Sequence, residues 1–282
     1  MTISDPTEVH PAWLPTEAFR ALGSRRVLIC GEGQLIETVA HEAEQACARY
    51  GGDWRRQSVA VPEADGGQYD LVFALTGSEP LPSAAAGVAE PGALGAEGFA
   101  ITRQDGVTVV LADEPAGLVY GLFHVVRLGE AAFADSRPVE RHRPAARLRM
   151  LDHWDNVDVH PGTGQVERGY SGGSIFWNDG ALRSDLARVR DYGRLLAACG
   201  VNRVAINNVN VNATEAHLLT DRLGDVIAIA DALRPYGIRV HLSVNFASPI
   251  ALGGLSTADP LDAQVRSWWS ETTRRVRPPT PP

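Results

Sequence analysis

Cysteine is scarce in this sequence. Cys30, Cys47 and Cys199 are odd in number and far apart. That spacing excludes a disulfide framework and a cysteine zinc site, and it points to reduced, buried thiols in a cytoplasmic protein. Positive charge is also short: 26 Lys and Arg stand against 34 Asp and Glu, a net charge of −8. No nucleic-acid partner is expected from that balance. Long hydrophobic runs are missing, none approaching the roughly 20 residues of a membrane span. The opening MTISDPTEVHPAWLPTEAF lacks the basic-then-apolar pattern of a secretory leader. Neither a membrane partner nor export is therefore expected.

What is present is a core-forming composition. Hydrophobic residues make up 44% of 282, enough for one large or two medium domains. In the first half, RVLIC (Arg26 to Cys30) reads as a buried strand, and Gly31-Glu-Gly33 turns it into a helix over 34–50. Apolar residues at Leu35, Val39, Ala43, Ala46 and Cys47 recur at helical spacing. The Gly-x-Gly is not read as a dinucleotide loop, because Ile36 occupies the third glycine position. Strands are predicted over 57–61, 70–75, 98–103 and 107–111, the last two joined by an Asp-Gly hairpin turn at Asp105-Gly106. A helix over 115–128 has Pro115 in its first turn and a stripe of Leu118, Leu122, Phe123 and Val126. The stretch 78–94 reads as a loop. Together these predict a small α/β sandwich over residues 1–130.

Residues 131–146 carry two prolines and no periodicity, which marks a linker and domain boundary. Beyond it, over 147–282, strand, polar loop and helix follow one another three times. Strands are predicted over 148–151, 201–206 and 238–244. Helices are predicted over 185–199 with Ser184 as cap, over 221–234 with Thr220 as cap, and after Asp259-Pro260. The first two end at Gly200 and at Pro235-Gly237. Such alternation implies a parallel sheet, in a barrel or an open doubly wound fold.

Polar residues crowd the strand ends. Asp152, His153, Trp154, Asp155, Asn156 and Asp158 follow the first strand, with Glu167, Arg168 and Tyr170 further on. Asn207, Asn208 and Asn210 follow the second, and Asn245 the third. Such groups cost free energy if buried without partners, but they suit a pocket with an aromatic wall. A guanidinium grips a carboxylate through two parallel hydrogen bonds, and amides match sugar hydroxyls, which both donate and accept. No metal is expected at His153, Asp155 and Asp158, since no second His or Cys cluster accompanies them. His124 and His241 have no visible partner and read as structural. Trp268 and Trp269 read as core packing.

The words HWDN, ERGYSGGSIFW, NNVN and LSVNFASPIALGGLSTADPLD occur in that order between Arg147 and Trp269. In them the sequence resembles the xylan α-glucuronidases of glycoside hydrolase family 67. The stretch EGFAITRQDGVTVVLADEPAGLVYGLFHVVRL more loosely resembles the hexosaminidase-like α/β domain that precedes the barrel in that family. The resemblance implies an α/β sandwich followed by an incomplete TIM barrel of about three βα units. It implies inverting hydrolysis, without metal or cofactor, of the bond that links glucuronic or 4-O-methylglucuronic acid to short xylo-oligosaccharides. The partner implied is a uronic-acid-bearing oligosaccharide, and the intact family implies a homodimer. By the same resemblance Trp154, Glu167, Arg168, Asn207, Asn208, Asn210 and Asn245 are sugar-binding residues.

Two departures from the family pattern stand out. The stretch 159–164 makes a longer loop before Glu167, and the chain closes on RRVRPPTPP, where Pro278, Pro279, Pro281 and Pro282 replace the fourth barrel strand. The catalytic carboxylates of the family are expected on that strand and beyond. Inversion needs an acid and a base roughly 6.5–9.5 Å apart on opposite faces of the sugar. The carboxylates near Glu167 all come from one strand end, so no catalytic residue is assigned. The expectation is an incomplete enzyme, inactive alone, with open apolar sheet edges. The alternative expectation is a non-catalytic carbohydrate-binding or regulatory fragment.

Overall fold

The computed structural model describes residues 14–57, 68–78, 81, 85, 87–157, 174–207, 209, 211 and 213–276. The chain forms two compact units. One gathers Met1–Arg149, Asp191–Asn202 and Pro235–Gly237; the other gathers Met150–Arg190, Arg203–Arg234 and Ile238–Pro282. Both are mixed α/β. No described helix is long and apolar enough to cross a membrane.

In the first unit a short helix α1 (Arg20–Gly23) leads into strand β1 (Arg26–Cys30), helix α2 (Gln34–Tyr50) and strands β2 (Asp53–Gln57) and β3 (Leu71–Leu75). The hairpin β4 (Phe99–Gln104) and β5 (Val107–Ala112), helix α3 (Pro115–Leu128) and strand β6 (Arg137–His142) follow. The strands make one sheet in the order β2-β1-β3-β5-β4-β6. It is parallel from β2 to β5 and antiparallel at β4 and β6. Asp105 (φ 50°) and Gly106 (φ 80°) both take positive φ, the pairing that fits a two-residue hairpin to the strand twist. Ile36 is fully buried, so the Gly31–Gly33 turn is packed by a side chain where a dinucleotide loop needs close backbone approach.

The two sheet faces are covered differently. On α3, Leu118, Leu122, Phe123 and Val126 are buried as their spacing predicts. Gly121 lets this helix lie against β5: a Cβ there would sit 2.4 Å from Val110 Cγ1. Leu28, Cys30, Val72, Ala74, Val109 and Leu111 form another cluster with Ala85, Val88 and Leu94. The Ala- and Pro-rich loop thus supplies core residues of its own.

For this unit the structure adds one strand and corrects two expectations. A strand runs from Asp53 to Gln57, ahead of the one placed over 57–61, of which 58–61 lie outside the described residues. It starts directly after Gly51, whose positive φ closes α2, and it is half-exposed, so its hydrophobic signal is weak. The linker over 131–146 contains β6, which pairs with β4. It was illegible because RPVERH is a charged edge strand and Pro138 has no N–H to give a second neighbour. Cys30 and Cys47 are buried, but Cys199 is exposed, because α4 (introduced below) ends one residue before it. All three are free thiols.

In the second unit strand β7 (Met150–Asp152) is followed by the small hairpin β8 (Trp177–Asn178) and β9 (Ala181–Leu182) and by the start of helix α4 (Ala187–Ala198), whose residues from Asp191 on belong to the first unit. Strand β10 (Arg203–Ala205), helices α5 (Ala213–Ala216) and α6 (Leu223–Leu233), strand β11 (Arg239–His241) and helices α7 (Ser248–Ala251) and α8 (Ala263–Val276) complete it. β7, β10 and β11 are parallel and adjacent in chain order. Each is shorter than its apolar run suggested. Gly200 (φ 76°) ends α4, and Val201 N–H reaches back to Leu196 O at 2.9 Å. The caps differ from those expected. Asp185 accepts from Ala187 N–H at 2.8 Å, and Asp262 accepts from Gln264 and Val265 N–H. Thr220 does not cap α6, which begins after Arg222.

Candidate functional site

The site candidates sit where the three parallel strands end. After β7 the ladder runs one step further, with His153 N–H bonded to Ala205 O at 3.0 Å. The His153 ring then packs on Phe176, centroids 5.1 Å apart. Burial pushes its imidazole pKa down to about 4, so the ring is neutral at pH 7. Trp154, the next residue, is 46% exposed. Asp155 and Asn156, the next two residues, are buried. One exposed aromatic ring therefore stands beside two buried polar side chains.

Buried polar groups need partners, and the partners here are largely backbone. Ser174 donates its hydroxyl to Asp155 and accepts the N–H groups of Phe176 and Trp177 at 3.0 and 2.9 Å. Asp155 thereby fixes the turn into β8. Glu215 on α5 is almost wholly buried and accepts Val157 N–H at 2.9 Å. It holds the loop after β7 from the neighbouring segment. A lone Glu in the NATEAH stretch gives no sequence signal for that role. Trp177 is completely buried, with the Arg222 guanidinium 5.4 Å from its ring centre.

The asparagines divide. Asn207 donates to Ser243 O at 3.1 Å and accepts Ser243 N–H at 2.9 Å. Its side chain is completely buried, and it braces the end of β10 against the end of β11. Asn245 donates to Val211 O at 3.0 Å and accepts Ala247 N–H at 2.8 Å, shaping the loop after β11. Glu167, Arg168, Asn208 and Asn210, with Asp158 and Tyr170, lie outside the described residues. Of the sugar-binding candidates the structure thus shows Trp154 exposed and Asn207 and Asn245 engaged with backbone. Among the described residues the metal-type grouping of side chains is elsewhere, at His124, Glu140 and His142 in the first unit.

Three kinds of similarity bear on this arrangement. The family model of the glycosyl hydrolase family 67 middle domain matches residues 132–281. α-Glucuronidase A of Emericella nidulans is 43% identical over 178 residues, 63% of this chain and 20% of that protein. The probable α-glucuronidase A of Aspergillus fumigatus is 40% identical over 184 residues, 65% of this chain and 21% of that one. The chain spans about a fifth of the length of these curated relatives. Among solved structures, a family GH115 4-O-methyl-α-glucuronidase with specificity for decorated arabinogalactans aligns with a TM-score of 0.54 at 13% identity, over 89% of this chain and 34% of that one. A GH138 enzyme targeting pectin rhamnogalacturonan II aligns with a TM-score of 0.52 at 15% identity, over 88% and 28%. At those identities the likeness is one of fold. With more than half of its residues inside the family match, this chain belongs to glycosyl hydrolase family 67.

Proposed function

We propose that this chain carries part of the substrate-binding apparatus of an α-glucuronidase and binds a uronic sugar without cleaving it. In this reading the second unit is the first three βα units of a TIM barrel. The first is the hexosaminidase-like α/β sandwich that precedes it. The substrate is (4-O-methyl)glucuronic acid borne on xylo-oligosaccharides. The observation that carries the reading is Trp154, an exposed ring at the C-terminal end of a parallel strand, backed by buried Asp155 and Asn156. Barrel enzymes place their chemistry at that end of the strands. Trp154 stacks on the sugar, Arg168 grips its carboxylate, and Glu167, Asn208 and Asn210 meet its hydroxyls. Asn207 and Asn245 act through the backbone they hold.

The buried carboxylates seen here are structural. Asp155 holds Ser174, and Glu215 holds Val157 N–H. Neither is offered as the acid or base that inversion requires. Isothermal titration with glucuronic acid tests the binding; heat is expected in the millimolar range, and a flat trace would refute it. Release of glucuronic acid from aldobiouronic acid by this chain would overturn the non-cleaving part. A second reading, a stand-alone carbohydrate-binding protein, rests on the same exposed ring. Mixing with the separately produced remainder of a family 67 enzyme separates the two, since only a barrel fragment restores hydrolysis.

A further inference from the structure

We propose that His124, Glu140 and His142 form a binding site for a divalent transition-metal ion of the zinc type, clipping helix α3 to edge strand β6. The three side chains offer two imidazole nitrogens and one carboxylate oxygen, and these atoms all lie within 4.8 Å of one another. The Nε2 atoms of His124 and His142 are both buried and, among the described residues, have no hydrogen-bond partner. Leaving such a group unsatisfied costs free energy, and a bound cation would satisfy both at once.

The local sequence explains the convergence. Glu140 and His142 are two apart on β6, so they share one face of the sheet. His124 comes from α3, which the Gly121 contact brings close to the strands. Phe99 of β4 is the register partner of His142, and the two rings stack with centroids 4.8 Å apart. The same Phe99 ring lies 5.3 Å from His124, and the two imidazoles are 4.3 Å apart. An apolar ring thus backs both ligands and limits their rotamers.

Glu140 is oriented from behind. Arg137 binds its Oε1 at 2.6 Å, while Oε2 stands 3.6 Å from His142 Nε2, too long for a hydrogen bond. A ligating carboxylate held by an outer partner is the usual support of a metal site. Two imidazoles and a carboxylate suit zinc, cobalt, nickel or copper and are wrong for calcium or magnesium. Zinc-type bonds of about 2.0–2.1 Å put tetrahedral ligands about 3.3 Å apart, within reach of small side-chain rotations. Arg127 and Arg137 add positive potential, so binding should be weaker than at a four-ligand structural zinc site.

The test uses the full chain, stripped with EDTA and dialysed. Titration with Zn2+ should give one ion lost on substitution at this site. At a hundredfold excess over Kd the melting temperature should rise by about 5–10 °C. Co2+ should bring the visible absorption of tetrahedral coordination. Glu140→Gln, at a half-exposed position, should weaken binding about 10–100-fold, and His142→Asn should abolish it. Metal-free melts of both variants show that they fold. No Zn2+ binding by the unaltered chain would overturn the proposal. So would binding undiminished in both variants, because the ion would then sit elsewhere.

Discussion

The two larger sheets among the described residues are built from similar strand–helix grammar and end up in opposite states. In the first unit β3 and β5 are buried along nearly their whole length, with helices and a core-bearing loop on their faces. In the second, all three residues of β7 are exposed, as are Arg239 and His241 of β11. Met150 and Leu151 lie on β7 and Phe246 just past β11, all exposed large apolar side chains. Among the described residues neither outer strand of this sheet has a second neighbour. The first unit closes its own edges, with β2 half-exposed and β6 charged. The lesson is that parallel βα units satisfy each other only in number. Among the described residues, the apolar side chains of β7 stay exposed.

Substitutions in the two units test that contrast. The largest effect is expected from Phe73→Ala, a fully buried side chain of β3, at about 3–5 kcal/mol. Leu151→Ala on β7 should cost about 0.5 kcal/mol or less. Equal shifts of the two urea midpoints would show that the sheets do not differ in this way. Next comes the buried ion pair of the first unit. Glu42 accepts from Arg194 at 2.7 and 3.0 Å and from Tyr236 at 2.7 Å. Glu42→Ala leaves the guanidinium without its partner and should cost about 3 kcal/mol. The exposed pair Arg275–Glu271 should cost about 0.5 kcal/mol or less when broken.

A smaller effect lies in the acid limb of stability. Asp113 accepts from Thr76, Gly92, Leu94 and Gly95 at 2.6–2.9 Å. Burial raises its pKa, and those four bonds outweigh burial and hold it below the ordinary range. A depressed carboxylate adds stability above its unfolded pKa, about 3.9, and loses it as pH falls through the folded value. Asp113→Asn should therefore flatten the loss of stability below about pH 4; an unchanged acid profile would discount the bonds. Trp154→Ala should cost only about 1 kcal/mol or less, for a half-exposed ring. It should nevertheless abolish heat with glucuronic acid. A large drop in melting temperature instead would move Trp154 from site to core.

Legibility in the sequence followed burial and regularity. Helices α2 and α3 stand at the residues their periodicity marked, because long stripes of apolar residues leave one solution. The 105–106 turn was legible because Asp-Gly fits positive φ at both positions. β6 was hidden because an edge strand with Arg137, Pro138 and Glu140 carries the composition of a linker. His124 had no visible partner because its neighbours lie on another element, 16 and 18 residues on in the chain. Asn207 shows the limit at the site. An asparagine at a strand end serves a sugar or a backbone equally well by chemistry, and only its neighbours decide.

The order of apolar stripes, turns and polar strand ends is local information, and with the family words it determined the α/β class and the region where a sugar is sought. The tertiary structure alone decided which polar side chains were spent on holding loops. It also decided that two histidines and a glutamate from separate elements share one corner. Hydrogen-bond capacity is a property of each residue, whereas the choice of partner depends on what folding brings within about 3 Å.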